Sequence, residues 1–270
     1  FPESAVSAIE GMALYADFRR TNDAAPSLPL PKVGRDIVKA TFYDVIKDRR
    51  VQLMGYESSR VLDAYGIPVN HTYLATSMEE ACQIGQKIGF PVVLKISSPQ
   101  IAHKTDVGGV EIGLHNRREV EKAYRRIEER VGRFMPDAPI YGIEVSKMVD
   151  DGVEVIIGMS RDIQFGPMIA FGLGGIYVNL IKDVSFRLAS ALNNKKSIEE
   201  MIAETKAFTL LKGYRGQKSA DMGALIDAIY RTARLVQDFE EITEMDINPL
   251  RVYTKGATGV DVKITISQPE

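Results

Sequence analysis

Six stretches of this chain hold residue types that could act together in chemistry. In "SPQIAHKTDVGGV" (98–110), His103 is one of three histidines and sits beside a lysine, an aspartate and a glycine pair. A polar loop with Pro and Gly after a strand is ordinarily a connection, but an imidazole on such a loop is also placed to react. In "VVLKIS" (92–97), Val92, Leu94 and Ile96 share one strand face while Val93 and Lys95 share the other. A lysine in so apolar a strand either snorkels outward or meets a buried anion such as phosphate. In "EMDINPL" (244–250) Asp246 and Asn248 lie on one strand face, and "GVDVKI" (259–264) puts Asp261 on a strand that could pair with it. Two carboxylates and an amide oxygen suit Mg²⁺, a hard cation that keeps water and phosphate in its shell; solvated strand-end charges are the alternative.

Two further stretches are weaker alone. "FGLGGIYVNLIKD" (171–183) has glycines at 172, 174 and 175, which let main-chain N–H groups approach a phosphate or a partner chain. It has neither dinucleotide-fingerprint spacing nor the Gly-Lys-Ser/Thr of a Walker loop. "KMVDDGVEVIIG" (147–158) joins two strands through an acidic turn, with Glu154 alternating among Val153, Val155 and Ile157. That carboxylate could hydrogen-bond a ribose, or simply face solvent.

The elements that must position these groups are mixed rather than strictly alternating, which predicts an α+β chain of two lobes. Helical spacing is read over 3–19, 36–47 and 56–65, and "TNDAAPSLPLPKVG" (21–34) reads as an extended Pro-rich linker. Ser77 with Glu80, and Asn116 with Glu119, are N-terminal helix signatures. Strands are expected at 91–96, at "GGVEIGL", and near 141–148, 153–159 and 167–171; helices follow at 197–208 and 219–238, then strands at 242–247, 250–253 and 259–266. His71 and His115 read as surface residues.

Composition removes several function classes. The 34 basic and 36 acidic residues leave a net charge of −2, so there is no electrostatic footprint for nucleic acid. No apolar run approaches the roughly 18–20 residues a membrane span needs. The single cysteine, Cys82, reads as a buried thiol and makes a reducing, cytoplasmic setting the expectation. The chain opens on Phe, which is expected of a processed chain or of part of a longer one.

Taken together, "YGIPV", "GFPVVLKISSPQIAHKTDVGGV", "QFGPMIAFGLGGIYV", "KDVSFRLA" and "DINPL" resemble the ATP-grasp domain of the NDP-forming acyl-CoA synthetases, relatives of succinyl-CoA synthetase, over roughly residues 50–266. The resemblance implies a two-lobed ATP-grasp fold, with a first lobe over 35–146 and a second over 147–270. The segment 1–34 is similar to the tail of a preceding CoA-ligase domain plus a linker. It also implies that His103 receives a phosphoryl group, with Gly108 and Gly109 giving its loop freedom beside the nucleotide. Independently of the resemblance, Asp106 is read here as orienting the ring. Lys95 would contact nucleotide phosphates. Main-chain groups of Lys147, Met148 and Val149 would read adenine, and Glu154 would bind the ribose. Asn248 and Asp261 would hold Mg²⁺, and Asp246 would face the phosphohistidine. The implied reaction is acyl-CoA + ADP + phosphate ⇌ carboxylate + CoA + ATP. It would use ATP/ADP and Mg²⁺, with CoA and a small carboxylic acid bound by a partner α domain or subunit, in a hetero-oligomer or fused-chain dimer. Two departures stand out: Asn179 replaces the usual Glu after "GIYV", and "LASAL" (188–192) lacks the usual proline. A succinyl-CoA synthetase-like β subunit is the nearest alternative, opposed by the "SPQIAHKTDVGGV" loop; a non-catalytic ATP-grasp module is opposed by the intact His103, Lys95, Asn248 and Asp261.

Overall fold

Period-two alternation builds the first lobe. The computed structural model describes residues 2–24 (side chains at 3–16), 27–29, 31–101, 103–175, 183–214, 216 and 218–268. Strands β1 (Thr72–Ala75), β2 (Val92–Ser97), β3 (Val110–Leu114) and β4 (Gly142–Lys147) form an antiparallel sheet in the order β1-β4-β2-β3. Val92, Leu94 and Ile96 are fully buried beneath the two helices of this lobe, α4 (Met78–Ile88) and α5 (Arg117–Phe134). The opposite parity of β2, Val93 and Lys95, lines a cavity. Both expected helix starts form: Ser77 accepts from the Glu80 N–H, and Asn116 from the Glu119 N–H. Glu119 reaches back to the His115 N–H at 2.7 Å, which explains that exposed histidine's place as a cap flank. His71 is likewise exposed, its Nε2 3.8 Å from Asp63, and Cys82 is buried as expected.

The second lobe is a six-stranded antiparallel sheet. Its order is β10-β8-β5-β6-β7, with β9 added beside β8. The strands are β5 (Val153–Asp162), β6 (Gly166–Leu173), β7 (Val184–Leu188), β8 (Ile242–Val252), β9 (Ala257–Gly259) and β10 (Val262–Ile266). One face packs Val155, Ile157, Ile169, Phe171, Ile247 and Ile264 into the main core with α6 (Lys195–Ala203), α7 (Ala207–Leu211) and α8 (Met222–Asp238). The other face carries the alternate residues Ile156, Gly158, Ser160, Ala170 and Asp246, and lines an open cavity of about 510 Å³.

Several expectations change. Helices α2 (Arg35–Lys47) and α3 (Gly55–Ala64) were assigned by sequence to the first lobe, within 35–146, but Val38, Phe42, Val61, Leu62 and Tyr65 pack in the second lobe's core. The reason is aromatic: Phe42 and Tyr65 meet Phe239 edge-on at centroid distances of 5.5 and 5.9 Å. The chain thus passes through the second lobe before building the first. The helix expected at 197–208 is two helices, α6 and α7. The strands expected at 242–247 and 250–253 are one, because β8 stays paired with β5 on both sides of an irregularity that absorbs the offset. The helix expected over 3–19 runs from Pro2 to Ala24 as α1, with Val6, Ile9, Met12, Leu14 and Tyr15 exposed. The extended linker expected over 21–34 is corrected at its start, where residues 21–24 are the last turn of α1; further on it is docked, Leu28 N–H donating to Asn193 C=O and Tyr230 Oη to the Leu28 and Pro29 carbonyls.

Candidate active site

The facing surfaces of the two lobes bring most of the expected residues together. Lys95 projects from β2, and its Nζ lies 3.8 Å from Oδ1 of Asp261, which sits at the bend between β9 and β10 in the other lobe. Asp261 and Asn248 are joined through the main chain, the Asn248 N–H donating to the Asp261 C=O at 3.0 Å. The Asn248 side chain then accepts from the Gly175 N–H at 3.0 Å, tying the Gly-rich turn to the same point. Asp246 sits two residues earlier on β8, paired in register with Gly158 and Lys263. Among the described residues its Oδ1 is buried without a hydrogen-bond partner. Burial pushes the Asp246 carboxyl up, Lys263 opposes that, and the like charge of Asp261 adds to it.

These groups fit Mg²⁺. The expected ligands, the Asn248 amide and the Asp261 carboxylate, offer hard oxygens joined through the main chain, and the Lys95 ammonium stands 3.8 Å from Asp261. Among the described residues no cluster of three His, Cys, Asp or Glu forms a closed cage.

At the other end of the cleft, a cavity of about 190 Å³ is lined by Asn70, Lys95, Lys147, Met148, Val149 and Arg251. The hinge main chain is already partly engaged there. Lys147 C=O accepts from Asn70 Nδ2 at 2.7 Å, and the Met148 N–H donates to Pro91 C=O at 3.0 Å. The Lys147 ammonium is held by the carbonyls of Gly89 and Phe90. Glu154 leads β5 directly opposite Arg251 of β8 and is bonded to it, Nη2 to Oε1 at 2.9 Å. Its Oε2 lies against the Gly-rich turn, where a Cβ on Gly175 would come within 2.3 Å of it.

The His103 loop is set by its ends. Its imidazole is exposed, and the hydrogen bond joining it to Asp106 is a main-chain one, Asp106 N–H to His103 C=O at 3.2 Å, in place of the expected contact with the ring. Gly108 has φ +65°, a left-handed turn, and a Cβ there would meet Arg130 at 2.7 Å. Gly109 packs against Ile96, leaving 2.5 Å for a Cβ. Close turning of the loop therefore accounts for the glycine pair. Asn179 lies outside the described residues, and the "LASAL" stretch forms a short turn whose Ala189 and Leu192 enter the core.

Sequence reasoning missed three residues here. Arg251 is visible as a partner of Glu154 only once the β5–β8 register is known. Asn70 acts from a loop. Glu144, on β4, is buried across from Lys95 and accepts from the Tyr56 N–H of α3 and from Ser97 Oγ, both at 3.3 Å. Burial pushes the Glu144 carboxyl up, while Lys104, Lys95 and the N–H groups at the start of α3 pull the other way. Beside it, Glu57 and Arg50 form a buried pair at 2.7 Å, and Arg50 lies 5.4 Å over the Tyr141 ring of the first lobe. This junction anchors the first lobe, and the start of the His103 loop, on α3.

Residues 44–266 match the ATP-grasp domain family. The chain belongs to that family. Over 210 residues this ATP-grasp domain is 44% identical to the β subunit of acetate–CoA ligase [ADP-forming] I of Pyrococcus furiosus, covering 78% of the chain and 90% of the relative. It is 45% identical to acetate–CoA ligase [ADP-forming] I of Archaeoglobus fulgidus over 80% of the chain, but spans only 31% of that longer relative. Among solved structures, it matches a chain of the dinucleotide-forming acetyl-coenzyme A synthetase 1 of Ca. Korarchaeum cryptofilum with a TM-score of 0.76 and 42% identity, over 85% of this chain and all (100%) of that one. That protein was solved with coenzyme A and Mg-AMPPCP, its phosphohistidine segment pointing towards the nucleotide-binding site. The ATP-grasp domain thus stands within the ADP-forming acyl-CoA ligase family, and its α+β, two-lobed architecture is that family's fold. Among the described residues no helix is long and apolar enough to cross a membrane.

Proposed function

We propose that this domain is the nucleotide-handling, phosphoryl-transferring part of an ADP-forming acyl-CoA synthetase, which interconverts acyl-CoA + ADP + phosphate with carboxylate + CoA + ATP. The observation that carries the reading is the convergence of Lys95 and Asp261 from opposite lobes, 3.8 Å apart, between the hinge cavity and the buried Asp246 oxygen. Coenzyme A and the carboxylic acid bind on a partner α domain or subunit, in a hetero-oligomer or a fused chain. The Pyrococcus β subunit and the longer Archaeoglobus relative support this division of labour. The enzyme works in the cytoplasm.

In this reading the hinge at 147–149 takes the purine. Val149 N–H carries none of the hinge hydrogen bonds described above, so it is the group offered to the base. Glu154 takes the ribose hydroxyls. Asn248 and Asp261 hold Mg²⁺, which offsets charge on the nucleotide phosphates when bound. Lys95 neutralises charge on the phosphoryl in flight, where positioning and electrostatics carry the reaction. His103 is the relay. Its imidazole nitrogen forms an N–P bond as the P–O bond of an acyl phosphate breaks, releasing the carboxylate. The N–P bond then breaks as a β-phosphate oxygen of ADP attacks, giving ATP and restoring the neutral ring. Asp246 faces the phosphohistidine and holds the ring during this second step.

The test is phosphorylation of the protein, with its CoA-binding partner, by Mg-ATP labelled at the γ-phosphate. Acid-labile, base-stable label on the wild type that is lost from this chain in His103→Ala is the expected result. Label that persists on this chain in the variant would overturn the relay. Absence of both label and nucleotide binding would overturn the enzymatic reading itself.

A further inference from the structure

Arg251 is hydrogen-bonded on both edges of its guanidinium in the cleft, and the reaction above leaves it without a role. Its Nε and Nη2 both donate to the same oxygen of Glu154, Oε1, at 3.1 and 2.9 Å. Its third nitrogen, Nη1, donates to the carbonyls of Val149 and Asp150 at 3.3 and 3.0 Å. Oε2 of Glu154 is turned to the Gly175 main chain, and the Gly175 N–H is bonded to Asn248. One guanidinium therefore connects the hinge, the carboxylate beside it and, through Gly175, the residue that anchors the opposite end of the cleft. Arg251 also lines the hinge cavity.

We propose that Arg251 is the positioning residue of the nucleotide site, fixing the distance between the base-reading hinge and the ribose-reading carboxylate; the inference rests on the nucleotide reading of this cleft. A glutamate at a strand start has several rotamers, and holding one costs side-chain entropy at each binding event. Arg251 removes that cost in advance. By occupying Oε1 with two donors it presents Oε2 alone to the sugar, in one orientation. Only a planar fork with donors on both edges can reach one carboxylate oxygen and two successive carbonyls at once; a lysine ammonium cannot span them. A carboxylate held this way discriminates strongly against a sugar without hydroxyls, because the missing partner leaves a desolvated polar oxygen unpaired.

The discriminating experiment is calorimetric binding of Mg-ATP and of Mg-2′,3′-dideoxy-ATP to the full-length protein, for wild type, Arg251→Gln, Arg251→Lys and Glu154→Gln, with thermal denaturation as the folding control. Wild type is expected to prefer ATP by about 10-fold. In Arg251→Gln the affinity for ATP should fall about 5- to 10-fold while that for the dideoxy nucleotide barely moves, so the preference collapses. Arg251→Lys keeps the charge without the fork and should lose most of the preference too. Glu154→Gln should match Arg251→Gln, and the double variant should lose nothing more, since the two act as a unit. A preference retained in Arg251→Gln, or an equal loss for both nucleotides, would overturn the proposal while leaving the nucleotide reading intact. A wild type that binds neither nucleotide, or both equally, would overturn the ribose reading and this inference with it.

Discussion

The two ends of the cleft are built on opposite principles. At the hinge end the polar groups are committed to one another: Arg251 to Glu154 and two carbonyls, Lys147 to the carbonyls of Gly89 and Phe90, Asn70 to Lys147. At the Lys95–Asp261 end, the phosphoryl end of the proposed function, they face each other without closing. Lys95 and Asp261 stop at 3.8 Å, and among the described residues Asp246 keeps a buried oxygen without a partner. The first arrangement is pre-organised and presents a fixed surface, which in the proposed function suits recognition of a rigid base and sugar. The second keeps strong charges under-compensated in a partly desolvated space, where in the proposed function each would be worth more to an incoming phosphoryl than in water. Hinge-end changes should therefore act on nucleotide affinity, and phosphoryl-end changes on turnover.

The largest expected effect breaks the phosphoryl end. Lys95→Met should lower kcat for ATP formation by about 10²–10³-fold, with a much smaller change in nucleotide Kd. Steady-state rates beside calorimetric binding would check this; a change confined to Kd would erase the distinction between the two ends. Next comes Gly174→Ala. A Cβ there would stand 2.6 Å from the main chain of Val155, so the turn that carries Gly175 must shift, costing about 1–3 kcal/mol in thermal denaturation.

Lys147→Met sharpens the comparison from the hinge side. It strips the carbonyls of Gly89 and Phe90 of their ammonium partner, for a stability loss of about 1–3 kcal/mol. Nucleotide KM should rise while kcat stays near wild type. The smallest change concerns Glu144, which belongs to neither end. Its carboxyl titrates above the ordinary carboxylate range because it is buried, so the folded state holds that proton longer than the unfolded chain does. Stability then falls as pH rises from the ordinary carboxylate range through the raised value. Glu144→Gln keeps an acceptor for the Tyr56 N–H and removes the titration, so its Tm should match wild type in acid and exceed it progressively as pH rises. Parallel Tm-versus-pH curves would remove Glu144 from the account.

Local patterns were legible because each depends on neighbours in sequence. The alternation in 92–97 correctly separated Val92, Leu94 and Ile96, now in the core, from Lys95, now in the cleft. Ser77 and Asn116 cap the helices they were expected to cap. Strand β7 was not legible, because its pattern is inverted: Ser185 is buried, bonded to Glu204, while Phe186 is exposed on the open face of an edge strand. Hydrophobicity alone assigns those two residues to the wrong sides.

Residue identity and spacing specify the types and order of the candidate groups: the strand lysine, the histidine loop, the Gly-rich turn, the entering glutamate and the Asp-x-Asn with its late aspartate. They also determined the two-lobed α+β class, since period and turn chemistry are properties of short windows. Only the tertiary structure decided which groups meet. Arg251 and Glu154 are 97 residues apart and pair through strand register; Glu144 and Tyr56 are 88 apart and pair because α2 and α3 bury their apolar faces in the second lobe. Long-range partnerships of this kind follow from how whole faces are buried, a quantity summed over many residues and visible in no single stretch.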